Sequence, residues 1–156
     1  MGEFAEAVQD YMCNSLSGQI PSFDWQTEYD VAGTPVDVVG KAEKKLHLIE
    51  LEWKRADPAD NTAKIFRHLE AGEFEANEII VLQIFTDHYA LSGGGVSSKQ
   101  KNAEFVGKVA AETFEHLTYT PVSFKMNPPK RGSSWPDDWE RVADDTLDVI
   151  VDNLSR

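Results

Sequence analysis

Apolar residues recur along this chain at two different periods, and the places where the period changes divide it into elements. From Gly2 to Leu16 the apolar positions Phe4, Val8, Tyr11, Met12 and Leu16 follow helical spacing, with Ser17-Gly18 as a stop, which predicts an amphipathic first helix. Ser22 to Val31 alternates as a strand. Ala32-Gly33-Thr34-Pro35 turns into a second strand around Val36-Asp37-Val38-Val39, and Gly40 to Lys45 turns that strand back. The third strand of this meander reads Leu-Ile-Glu-Leu-Glu-Trp-Lys from Leu48 to Lys54. Side chains on a strand point alternately to opposite faces, so Glu50, Glu52 and Lys54 fall on one face and Ile49, Leu51 and Trp53 on the other.

After Arg55 the segment Asp57-Pro58 opens a second helix that runs to about Ala71, with Gly72 as its stop. Glu78 to Thr86 is a nearly continuous apolar run rich in β-branched residues, the pattern of a central strand buried on both faces. Gly93-Gly94-Gly95 lies in a loop, and without the Gly-x-x-x-x-Gly-Lys-Ser/Thr spacing it is no nucleotide cradle. Lys99 to Leu117 reads as a third helix through Phe105, Val106, Val109, Ala110, Phe114 and Leu117. A strand over Tyr119 to Met126, a stiff basic and aromatic loop over 127–136, and a closing helix over Asp137 to Leu154 complete the chain.

At 156 residues, this is the length of one domain, 1–156, with a substantial core. No run approaches the roughly 20 apolar residues of a membrane span, the first residues lack the pattern of a signal peptide, and the single Cys13 has no internal disulfide partner. An intracellular, cytoplasmic location is the expectation. The net charge of −12 argues against a protein that coats nucleic acid, because that mode draws its affinity from Lys and Arg on phosphates. His47, His68, His88 and His116 show no ligand spacing with one another or with Cys13, so neither a zinc site nor a Cys-His nucleophile is supported.

The acids of the meander are different. Two carboxylates about 7 Å apart on one strand face, with Asp37 delivered by the neighbouring strand, resist ionising together unless a cation intervenes. Hard divalent cations take one or two carboxylates plus water and phosphate oxygens. Asp37 followed by Glu52-Trp53-Lys54 on the next strand resembles the PD-(D/E)xK nuclease superfamily, over roughly Gly2 to Thr86, with Pro35 one place earlier than the pattern has it. The resemblance implies an α/β restriction-endonuclease-like core of helix, three-strand meander, helix and strand, here extended by a further helix, a strand and a C-terminal helix.

It also implies a Mg²⁺- or Mn²⁺-dependent DNA endonuclease. Asp37 and Glu52 would hold the metal with the Trp53 carbonyl, Glu50 would assist, Lys54 would activate the attacking water, and Glu6 of the first helix would be an auxiliary acid. Lys64 and Arg67 on the second helix are either nucleic-acid contacts or solvated surface, and the loop that carries Lys130 and Arg131 either grips nucleic acid or is pinned by Trp135 packing on the core. Glu28 faces the site or is an exposed strand acid. A homodimer is expected for cutting both strands, since its two-fold symmetry matches that of DNA. The alternative is a non-catalytic module that keeps the fold while its acidic surface binds a protein partner.

Overall fold

The computed structural model describes residues 2–156 and shows a mixed α/β protein, a five-stranded sheet with four long helices. The helix α1 (Glu3–Gln19) precedes the meander β1 (Asp24–Val31), β2 (Thr34–Ala42) and β3 (Lys45–Glu52). Then come α2 (Pro58–Glu70), β4 (Glu78–Thr86), α3 (Ser98–Thr113), β5 (Leu117–Phe124) and α4 (Trp139–Leu154), with a single 3₁₀ turn at Asp87–Tyr89. The strands lie in sequence order, β1 to β3 antiparallel and β3 to β5 parallel. Each parallel step needs a crossover, and α2 and α3 supply the two. No helix among the described residues is long and apolar enough to cross a membrane.

The sheet divides the core in two. On one side Val8, Met12 and Leu16 of α1 meet Leu147 and Ile150 of α4 over Ile49, Leu51, Leu82 and Ile84. On the other, Ile65 and Phe66 of α2 and Ala110 of α3 cover Leu48, Ile79 and Val81. β4 is covered on both faces, which explains its nearly continuous apolar run.

One element departs from its sequence pattern. α3 buries Gln100, Ala103, Gly107 and Ala110, whereas Phe105 is 68% and Val109 42% exposed, and Leu117 belongs to β5. The reason is close approach: a Cβ at Gly107 would stand 2.3 Å from Tyr119 Cζ, so α3 reaches β5 through its small residues and turns Phe105 and Val109 outward.

His47 offers a check on the packing of the meander. Its ring is buried and stacked on Phe23 at 4.2 Å, its Nδ1 has no hydrogen-bond partner, and burial pushes its pKa down to about 4. A histidine kept neutral by folding binds fewer protons than the unfolded chain, so stability is present above its unfolded value near 6.5 and is lost as pH falls towards 4. Wild type is therefore expected to lose about 2 kcal/mol more than His47→Leu between pH 7 and pH 5, read from urea midpoints at each pH. Parallel pH profiles for the two proteins would show that His47 protonates freely in the fold.

Candidate active site

The site lies where the meander comes apart. β1 pairs with β2 through Thr27↔Val38 and again through Tyr29↔Val36, but Glu28, held at φ +49°, is not paired with Asp37 opposite it. On the other side the β2–β3 ladder stops at Val38↔Ile49. Asp37 therefore stands where both neighbours release β2, and its Oδ2 accepts a hydrogen bond from the Leu51 N–H at 2.7 Å across the gap. Within a strand the N–H and C=O of one residue project to the same edge, so the Leu51 carbonyl faces the gap as well.

Glu50 meets Asp37 there. The two side chains act on each other and line the same cleft, and Glu50 is only 4% exposed. Burial, then the charges of Asp37 and Glu52, push the Glu50 pKa well above the ordinary range. Asp37 is also raised, by burial, against the opposing effect of the Leu51 N–H and the Glu50 hydrogen bond.

Glu52 is fully buried behind them. Its Oε1 accepts from Asn61 Nδ2 of α2 at 2.9 Å and from Gln83 Nε2 of β4 at 2.8 Å. Gln83 also donates to the Pro58 carbonyl at 2.9 Å, and its own Oε1 accepts from the Tyr119 hydroxyl at 2.7 Å. The other carboxylate oxygen, Oε2, has no hydrogen-bond partner, and the Arg55 Nε stands 4.0 Å away. Burial raises the Glu52 pKa despite Gln83, Asn61 and Arg55.

The half-buried Asp37 and the buried Glu50, with a main-chain carbonyl beside them, form an all-oxygen donor set, which fits Mg²⁺ or Mn²⁺ better than a softer ion. Among the described residues no group of three or more His, Cys, Asp and Glu side chains is arranged to hold a metal ion. The fit therefore rests on Asp37 and Glu50 with the Leu51 carbonyl, and Mg²⁺ needs no more protein ligands than one or two carboxylates because it keeps several waters.

The structure places two of the expected site residues differently and adds a third. β3 ends at Glu52 and the chain bends, so Lys54 leaves the shared strand face and is exposed at the rim of the cleft. Arg55, unremarked in the sequence, is the cation that acts on Asp37, Glu50 and Glu52. The same bend turns the Trp53 carbonyl towards β4, where it accepts from Thr86 Oγ1 at 2.7 Å instead of facing the acids.

A cleft of about 610 Å³ opens over the gap, and Glu6 of α1 lines it together with Glu28, Asp37, Glu50, Leu51 and Lys54. Lys64 pairs with Asp60 at 3.3 Å, and neither Lys64 nor Arg67 lines this cleft. Lys130 and Arg131 lie instead in an adjoining cleft that shares Trp53 and Lys54 with the first. Sequence offered one signal for the Glu52 cradle: Gln83 is the lone uncharged polar residue within the apolar run of β4. Asn61 and Tyr119 carried none.

No family model and no curated protein matches the chain. Among solved structures it is similar to SfsA of Pyrococcus furiosus, determined in complex with Ca²⁺, at a TM-score of 0.41 and 12% identity over 79% of this chain. The match spans 57% of the SfsA chain.

Proposed function

We propose that this protein is a metal-dependent nuclease of restriction-endonuclease-like fold that hydrolyses phosphodiester bonds in DNA. The observation that carries the reading is the Asp37–Glu50 pair, two carboxyls forced together at the break between β2 and β3 and open to a cleft. Folding such a pair without a cation costs free energy, because burial and like charge both oppose ionisation.

Asp37, Glu50 and the Leu51 carbonyl would hold the metal, with Glu52 behind them keeping the end of β3 in place through Asn61 and Gln83. When bound, the ion polarises a phosphoryl oxygen and lowers the pKa of a water. Glu6 and Glu28 at the cleft mouth exclude phosphates from the wrong side by repulsion, and Lys54 draws the scissile phosphate to the rim. Arg55 offsets the summed negative charge of the three carboxyls.

Two measurements on the same protein test this. Titration of Mn²⁺ should give a saturable heat that Asp37→Ala removes, and supercoiled plasmid, whose torsional strain opens short unpaired stretches, should be nicked in Mg²⁺ by wild type and not by Asp37→Ala. Lys54→Ala should cut nicking on the order of 10²-fold, as for loss of a preorganised electrostatic contact, while Mn²⁺ affinity holds or rises. Nicking unchanged in Lys54→Ala would sink the proposed role of the lysine. A protein that binds no divalent cation and cuts nothing would instead be the non-catalytic module.

A further inference from the structure

The adjoining cleft, of about 840 Å³, reverses the charge of the protein locally. The chain carries −12 overall, yet Lys54, Lys130 and Arg131 gather around this one opening, with Glu3 as the acid in its lining. Its wall includes Trp135, 39% exposed although its ring is fixed by edge-to-face contacts with Phe4 at 5.4 Å and Trp139 at 6.2 Å. The loop that brings the cations is stiff. Pro128 and Pro129 restrict its backbone, and the Ser133 N–H and Oγ both donate to the Lys130 carbonyl, at 2.9 and 2.6 Å, around Gly132 at φ +80°.

We propose that this cleft takes a single-stranded segment of nucleic acid that leads into the acid cleft, with an unpaired base stacked on Trp135 and its phosphates on Lys130, Arg131 and Lys54. Cations that track a backbone beside a fixed aromatic surface are the chemistry of single-strand grooves. In a duplex each base covers the faces of its neighbours, so only an unpaired strand offers a base to Trp135. Trp53 and Lys54 line both clefts, so a strand held here continues directly to Asp37 and Glu50. The substrate is then an overhang, flap or frayed end rather than an uninterrupted duplex. This names the substrate of the proposed nuclease and rests on that reading only for the cutting step.

Binding is therefore measured without metal, by fluorescence anisotropy in EDTA, with a dye-labelled oligothymidylate, a blunt duplex and polyglutamate as competitor. The single strand should bind about tenfold tighter than the duplex, and Trp135→Leu, which keeps apolar packing on Phe4 but removes the ring, should weaken it about tenfold. Should that variant fold poorly by circular dichroism, the surface variant Lys130→Ala/Arg131→Ala decides: its salt slope for the single strand should fall by about 1.4, two contacts at roughly 0.7 each. Equal binding of the duplex, no effect of these variants, or displacement by polyglutamate as effective as by unlabelled strand would overturn the proposal. Binding as expected with no cutting in Mg²⁺ would remove the nuclease reading and leave the ligand of this cleft standing. Cutting of blunt duplex that Trp135→Leu does not alter would do the reverse.

Discussion

Glu50→Gln is expected to damage activity and improve the metal-free fold at once. Nicking should fall by two to three orders of magnitude or more, as for removal of a group that acts on the transition state through a charge, and the Mn²⁺ heat should vanish. The melting temperature in EDTA at pH 8 should rise, each 1 kcal/mol appearing as roughly 2–4 °C for a chain of this size. Glutamine keeps the volume of the side chain and hydrogen-bonds to Asp37 without a charge. The sign with pH follows from the raised pKa of Glu50, which makes the folded state bind more protons than the unfolded one. The contribution of the carboxyl is thus present below its ordinary value near 4.5 and is lost as pH rises through its raised value in the fold. The advantage of Glu50→Gln should shrink as the protein is melted at successively lower pH. A variant that melts below wild type at pH 8 would mean the carboxylate supports the fold, and the strain reading of the pair would fail.

Gln83→Leu should have the opposite effect on stability, although it too replaces a buried polar side chain with one of similar size. Gln83 has no solvent exposure and satisfies three groups, the Glu52 carboxylate, the Pro58 carbonyl and the Tyr119 hydroxyl. Burial pushes the Tyr119 pKa up, so its hydroxyl stays a donor that must find an acceptor. Removing Gln83 leaves a buried carboxylate with one fewer donor and the Tyr119 hydroxyl with no acceptor, a loss of about 3 kcal/mol. Denaturant midpoints of the two variants beside wild type separate them: one should move up and the other down. A Gln83→Leu variant as stable as wild type would show that water reaches Glu52 and Tyr119.

The contrast between these residues tracks what a sequence can display. The alternation of Glu50 and Glu52 with Ile49 and Leu51 was legible because strand side chains have a fixed period, and the order helix, meander, helix, strand follows from the same periodicities. The end of β3 was not. A strand stops where its ladder partners leave, and the release of β2 at Asp37 depends on Glu28 across the sheet, which no local pattern encodes. Lys54 was therefore placed on a face that ends two residues before it. The Trp53 carbonyl points to Thr86 and not to the acids because carbonyl direction is set by pairing, not by residue type. In α3 the pattern misplaced Phe105 and Val109 for a related reason: contact with Tyr119 selects for Gly107, and small residues leave little trace in a hydrophobicity pattern.

The two clefts also differ in when they can come into being. Asp37 reaches Leu51 across a loop of only 14 residues, inside a meander whose contacts are local. Closing so short a loop costs little entropy, and such units form early. The basic cleft instead unites the first turn of α1 with the 128–135 loop, and its frame is fastened by contacts such as Tyr11 to Asp144, 133 residues apart. During synthesis the acids can assemble while the 128–135 loop is still unmade. The two clefts thus mature in sequence, the acid cleft before the basic one; under the proposed function, the means of hydrolysis would precede the means of capture in a nascent chain.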